Sequence, residues 1–188
     1  EYPDCQIDWV VEEGFKGILE NNPDINIIHT VNLKKVKQQK SLKLLFKEFK
    51  KIRQFGRYDL VIDAQGLIKS AIVAKFIQSK KISGFDKNSI RESLASALYQ
   101  HKTFIAYDAN TIDRNVKVIC NPLGLEISSD AIINKQPFLF SKSEILSPSK
   151  PYALFVIGST WESRNYPKEK FVQVAQSLKM NCLVVWGN

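Results

Sequence analysis

The chain has 188 residues, 44% of them hydrophobic, enough for one large domain or one and a half ordinary ones, which excludes a disordered chain. No apolar run approaches the roughly 20 residues that span a bilayer, and no secretory signal peptide is visible. The net charge of +8 is local: between Lys34 and Arg53 nine bases stand against one acid, Glu48, and the remainder is neutral. Such placement points to one anionic partner surface rather than a generally adhesive protein.

In chain order, residues 7–11 read as a strand and residues 14–19 as a short helix, with a turn at Asn21-Asn22-Pro23-Asp24. A second strand is predicted over 25–31, then a helix in the basic segment, with Leu42, Leu45, Phe46 and Phe49 as its apolar face. Residues 59–62 form a third strand whose β-branched, apolar composition suits burial on both faces of a parallel sheet. A helix over 67–78, a short strand over 81–84, and helices around 90–99 and 111–123 follow. Residues 124–150 lose periodicity and gain Ser, Pro and Lys, as a linker does. A fresh unit then begins: strand 152–157, loop 158–167, helix 168–178 and strand 182–186. Phe171, Val174, Ala175 and Leu178 line that helix's inner face, and Pro167 suits its first turn.

Strands alternating with helices mean an α/β architecture with parallel sheets. Glu1 to Gln6 reads as the end of a helix, and the sequence stops just after a strand. The expected organisation is therefore most of a first domain, 1–148, and the opening βαβ unit of a second, 149–188. Cys5, Cys120 and Cys182 are an odd number at wide spacing, read as a reducing cytoplasmic context with Cys120 and Cys182 as small core residues. His29 and His101 have no metal-ligand neighbour at helical spacing, so neither a zinc site nor a histidine-activated nucleophile is expected.

Ligands of open parallel sheets bind beyond the carboxyl ends of strands. Asp63 and Gln65 stand there after the third strand, as cleft-lining candidates. Asp63 suits a base or, better, a helix N-cap. Lys34, Lys35 and Lys37 follow the second strand in the same way, while Lys43, Lys47, Lys50 and Lys51 read as a solvated helix face. The Gly158-Ser159-Thr160 turn between strand and helix offers hydroxyls and free N–H groups to a diphosphate, with Arg164 as a nearby cation. Alternatively it is an ordinary loop with Ser163 or Asn165 as the helix cap.

Several segments together resemble one family. Ile7-Asp8-Trp9-Val10-Val11-Glu12-Glu13-Gly14-Phe15 is followed by Asp63-Ala64-Gln65-Gly66-Leu67-Ile68-Lys69-Ser70 and by Ser83-Gly84-Phe85-Asp86. Arg91-Glu92-Ser93-Leu94-Ala95-Ser96, the 158–160 turn with Arg164 and Tyr166-Pro167, and Val185-Trp186-Gly187 complete the order. Together they resemble the lipopolysaccharide heptosyltransferase I group of glycosyltransferase family 9. The resemblance implies a GT-B fold, two Rossmann-like domains about a cleft, with the first strand of the first domain expected upstream of Glu1. It implies an inverting transfer of heptose from ADP-heptose to the Kdo sugar of the lipopolysaccharide inner core, with no metal or other cofactor.

On this resemblance Ser159, Thr160 and Arg164 are donor-binding residues. The family usually has Thr and Lys at the positions of Ser159 and Arg164. Lys34, Lys35 and Lys37 occupy the place of an arginine-rich acceptor loop, and Arg91 joins them on the acceptor side or pairs on the surface beside Glu92. The implied acceptor is Kdo-lipid A, and the basic segment would also meet the anionic inner leaflet, giving a cytoplasmic enzyme peripheral to the inner membrane. The family's catalytic aspartate belongs upstream of Glu1, so no residue here inherits that role and the chain alone is expected to be inactive. Alternatives are another GT-B enzyme with a different nucleotide sugar, and a basic nucleic-acid-binding protein. The second is disfavoured, because the basic segment lacks interleaved exposed aromatics or a groove-reading motif.

Overall fold

The computed structural model describes residues 2, 4–136, 138–140, 150–158, 163 and 165–185. The chain divides into two compact units, Glu1–Ser141 and Lys142–Asn188. In the first, β1 (Asp8–Glu12) leads through a 3-10 turn (Glu13–Phe15) and α1 (Lys16–Leu19) to β2 (Ile27–Val31), which pairs with β1 in parallel, Val10 opposite His29. The helices α2 (Leu33–Gln39) and α3 (Leu42–Ile52) follow, then β3 (Arg57–Ile62), α4 (Ile68–Phe76), β4 (Gln78–Phe85) and, after two 3-10 segments (Lys87–Ser89 and Ser93–Leu98), β5 (His101–Thr103). β3, β4 and β5 form one parallel sheet in that order, with Val61 opposite Ile82 and Gly84 opposite Lys102. α5 (Thr111–Cys120), a 3-10 turn (Asn121–Leu123) and α6 (Ser129–Ile133) complete the unit.

Two apolar clusters hold these layers. One joins β4 to α4, α5 and the 3-10 segments through Ala71, Ala74, Ile82, Phe85, Tyr99 and Val118. The other gathers Val31, Ile52, Phe55, Val73 and Ile77, with Val10 and Val61 packed against it, and so links β1 and β2 to β3 and α4. Polar contacts reinforce that link. The Tyr58 hydroxyl donates to Asp8 Oδ2 at 2.6 Å, and His29 Nε2 lies 3.2 Å from the same oxygen while its ring stacks on Phe55 at 4.2 Å. Burial alone would raise the Asp8 carboxyl, but hydrogen bonds from Tyr58, Asn26 and His29 outweigh it and hold the group below its ordinary value. Burial and the Asp8 carboxylate push the Tyr58 phenol far above its usual range. The starts of β1 and β3 are thereby tied together, away from the loops that follow them.

In the second unit, β6 (Tyr152–Val156) and β7 (Asn181–Val185) pair in parallel, Leu154 opposite Leu183, joined by α7 (Lys168–Leu178). The rings of Phe155 and Tyr166 both meet Phe171 edge-on, at 5.7 and 5.1 Å, which seats the helix.

Several expectations change. The basic segment is two helices: Ser41 Oγ accepts from Leu44 N to start α3, while Lys40 turns into the left-handed region (φ 46°) to end α2. The apolar face of α3 is rotated, since Leu44, Leu45, Phe49 and Ile52 turn inward whereas Leu42 and Phe46 lie exposed. The fourth helix ends at Phe76, and β4 begins at Gln78 rather than at 81, because its backbone pairs along the whole of β3. Where a helix was expected around 90–99, only Ser93–Leu98 is helical, as a 3-10 segment; β5 was not foreseen, and α6 lies within the expected linker. β3 is half-buried, not enclosed on both faces.

Candidate functional site

Two constructions stand at the carboxyl ends of the first unit's strands. After β2, Asn32 caps α2, its side chain accepting from Lys35 N at 3.1 Å. Three carboxylates fasten the start of this helix. Glu12 Oε1 takes Lys34 N at 3.0 Å, Glu13 Oε2 takes Asn32 Nδ2 at 2.6 Å, and Glu48 Oε2 takes Asn32 N at 3.1 Å. Lys34, Lys35 and Lys37 are therefore not on a loop, as expected, but project from a short pinned helix with their side chains exposed. Carboxylates on the N–H groups of a helix start are electrostatically favourable, and they leave the ammonium groups free of pairing among the described residues. A shallow pocket lined by Glu13, Asn32, Lys35, Lys47, Glu48 and Lys51 opens beside them.

After β3, Asp63 is buried (5% exposed) and all its acceptor capacity is used. Oδ1 accepts from Gln65 N at 2.9 Å and Gly66 N at 3.2 Å, and Oδ2 from Ser70 Oγ and Tyr99 OH, each at 2.7 Å. Asp63 thus ties a turn rather than lining an open cleft, and no lone pair faces solvent to serve as a base. Its bonds fall on the turn N–H groups, so it does not cap the first turn of α4 either; Glu92 Oε2 takes the Ile68 N–H there at 2.7 Å. Gly66 is required at its place. Its φ is +67°, and a Cβ would stand 2.6 Å from Ile90 Cγ2. The Tyr99 ring lies on Gly84, where a Cβ would come within 2.5 Å. Burial and the Asp63 carboxylate push the Tyr99 phenol far above its usual range, so it remains a neutral donor.

The outcome of this knot is a rigid turn that presents Gln65 and Lys69 to solvent. Arg91 is also exposed (74%), and its guanidinium stands 3.6 Å from Glu92 Oε1, a loose contact. The structure thereby brings Arg91 beside the start of α4 through Glu92, while Lys34, Lys35 and Lys37 stand on α2, after β2. Sequence reasoning missed the anchoring acids and Tyr99. Glu48, alone among nine bases, and the Glu12-Glu13 pair at a strand end were the available signals. Nothing local marks Tyr99, which lies 36 residues from its partner.

In the second unit, β6 leads to Gly158, at φ +112°, a conformation that favours glycine. The donor candidates Ser159, Thr160 and Arg164 lie outside the described residues. Ser163 is exposed, and Pro167 takes the cap position of α7 with no side-chain bond. Among the described residues, no three His, Cys, Asp or Glu side chains stand together as metal ligands.

The model of glycosyltransferase family 9 (heptosyltransferase) matches residues 45–187. Lipopolysaccharide heptosyltransferase 1 of Campylobacter coli is 33% identical over 199 residues, covering 98% of this chain and 56% of the relative. That of Pseudomonas aeruginosa is 29% identical over 182 residues, covering 94% and 50%, and that of Escherichia coli K12 is 30% identical over 173 residues, covering 89% and 53%. The chain thus spans about half the length of the curated relatives it matches. Among solved structures, the E. coli heptosyltransferase WaaC with ADP superposes with a TM-score of 0.78 at 24% identity, over 99% of this chain and 60% of that one. The glycosyl transferase family 9 structure from Veillonella parvula gives 0.66 at 18% identity, over 95% and 53%. The fold is accordingly the expected GT-B type of α/β protein, with Rossmann-like parallel sheets.

Proposed function

Because the chain belongs to glycosyltransferase family 9 (heptosyltransferase), we propose that the whole protein transfers heptose from ADP-heptose to the Kdo sugar of the lipopolysaccharide inner core. The donor class is supported by the E. coli heptosyltransferase WaaC, whose solved structures hold ADP and ADP-2-deoxy-2-fluoro heptose. The observation that carries the acceptor side is the pinned helix α2. A carboxylate-bearing sugar on a phosphorylated lipid is anionic, and Lys34, Lys35 and Lys37 form an exposed cationic group whose backbone is fixed by Glu12, Glu13 and Glu48. Arg91, exposed beside the start of α4, adds a guanidinium suited to a carboxylate. Gln65, on the turn tied by Asp63, lines the same acceptor side.

On the donor side, Ser159, Thr160 and Arg164 receive the diphosphate, with Arg164 offsetting charge as the bond from the anomeric carbon to the ADP oxygen breaks. The acceptor hydroxyl attacks from the opposite face, which inverts the anomeric centre; no residue of this chain is assigned as its base. The reaction needs no metal or organic cofactor, the leaving charge being met by fixed protein cations. Such an enzyme works on the cytoplasmic face of the bacterial inner membrane as a peripheral protein drawn to its anionic surface. No helix among the described residues is long and apolar enough to cross a membrane.

The test is transfer by purified full-length protein to Kdo-lipid A in detergent, with ADP-heptose set against UDP- and GDP-sugars. Product with ADP-heptose alone is expected. Turnover of another nucleotide sugar with Kdo-lipid A left unmodified overturns the proposal.

A further inference from the structure

α3 is two-sided in an unusual way. Its inner side is packed: Leu44, Leu45, Phe49 and Ile52 turn toward the unit, and the Phe49 ring stacks on Phe76 at 4.1 Å and 11°. Its outer arc carries Leu42, Lys43, Phe46, Lys47, Lys50 and, just past the helix end, Arg53, all exposed. Leu42 and Phe46, one turn apart on a single line, are 71% and 72% exposed. An apolar pair left this open on a helix whose other apolar residues are packed calls for an occupant.

Charge identifies it. Glu48, the only acid of the segment, sits on the inner side with its carboxylate on Asn32 N. The outer arc is therefore purely basic. A second copy of this chain would set these cations against their own kind. A nucleic acid would satisfy the cations yet leave Leu42 without a partner and offer only Phe46 for stacking. An anionic bilayer satisfies both: lysine and arginine stems reach headgroup phosphates while the apolar pair enters the acyl boundary. The 11 residues of α3 are too short to span a membrane and fit one lying in its plane.

We infer that the outer arc of α3 is a membrane-docking face, with Leu42 and Phe46 inserted and Lys43, Lys47, Lys50 and Arg53 bound to anionic headgroups. The inference rests on the proposed action at a membrane surface and deepens it: general attraction by the basic segment needs no apolar insertion, whereas this face does. It also places α2 and its three lysines within a few residues of the lipid surface, where a lipid-anchored acceptor is met.

The experiment is flotation of full-length protein with vesicles of phosphatidylcholine and phosphatidylglycerol in equal parts, against phosphatidylcholine alone. The wild type is expected to float with the anionic vesicles only. Leu42→Ser with Phe46→Ser should lower its partition by about tenfold, as should Lys43→Gln with Lys47→Gln and Lys50→Gln. In Phe46→Trp, indole emission should be quenched by lipids brominated near the headgroup. Unfolding is not a confounder, because the substituted side chains are exposed, and an unchanged thermal melt checks this. Transfer to detergent-dispersed Kdo-lipid A should be unaffected by the Leu42/Phe46 change, so loss of docking and failure of the transferase reading are read separately. Three results overturn the inference: full vesicle binding by the Leu42/Phe46 variant, which leaves only general basic attraction; no wild-type binding to anionic vesicles; or a wild-type dimer that the variant splits, which makes the arc an interface between copies.

Discussion

Tyr99→Phe tests whether the turn after β3 is held by one buried carboxylate. The change removes a single hydroxyl, which donates to Asp63 Oδ2 at 2.7 Å, and leaves the ring on Gly84. A hydrogen bond to a charged acceptor contributes about 1.5–3 kcal/mol, and a loss of ~2 kcal/mol is about thirtyfold in the local folding equilibrium. Asp63→Ala should cost more, on the order of 3–5 kcal/mol, because Tyr99 OH, Ser70 Oγ and Gly66 N lose their acceptor inside the fold. Gly84→Ala acts through the same contact. Its Cβ would stand 2.5 Å from the Tyr99 ring, which its bond to Asp63 keeps from moving aside. Amide hydrogen exchange reads the effect directly: the Gln65 and Gly66 N–H groups, bonded to Asp63 Oδ1, should exchange about thirtyfold faster in Tyr99→Phe. Because the groups share one network, Gly84→Ala and Tyr99→Phe together should cost little more than the larger alone. Unchanged exchange in Tyr99→Phe, or strict additivity of the pair, refutes the reasoning.

Other outcomes are expected. Lys34→Ala with Lys35→Ala and Lys37→Ala should raise the acceptor KM more than the donor KM, with an effect that shrinks as salt rises; steady-state kinetics at two ionic strengths check it, and equal effects on both substrates count against the acceptor role. Arg164→Ala should lower kcat by about a hundredfold, on the order of 3 kcal/mol, with Arg164→Lys recovering much of it; a normal kcat returns Arg164 to an ordinary loop residue. The Asp8–Tyr58–His29 link should carry a pH dependence. The folded Asp8 carboxyl titrates below its ordinary value, so its contribution is complete above that value and fades as pH falls through the depressed one. Urea unfolding across acid pH should show this slope flattened in Tyr58→Phe, and an unaltered slope refutes it.

How much was legible in the residues varies from element to element. The α/β class, the parallel pairing and most strand positions followed from local facts: β-branched runs, glycine and proline punctuation, and the 3.6-residue period. The basic segment was equally plain, as charge along a chain is visible without a fold. The apolar face of α3 was misjudged because periodicity records spacing and not which side of the helix the neighbours occupy. Leu42 fits the period as well as Leu45, but only β2 and α4 decide which of them is covered. Asp63 stood out in its motif, yet its role rests on Tyr99, whose hydroxyl arrives only once β4 and the 3-10 segment have packed. The anchoring of Lys34 through Glu12, Glu13 and Glu48 likewise spans two strands and a helix. Local sequence determined which elements form, because dihedral preference and apolar spacing act over a few residues. Tertiary structure alone decided which polar groups meet and which faces stay open, because those depend on partners brought together from distant parts of the chain.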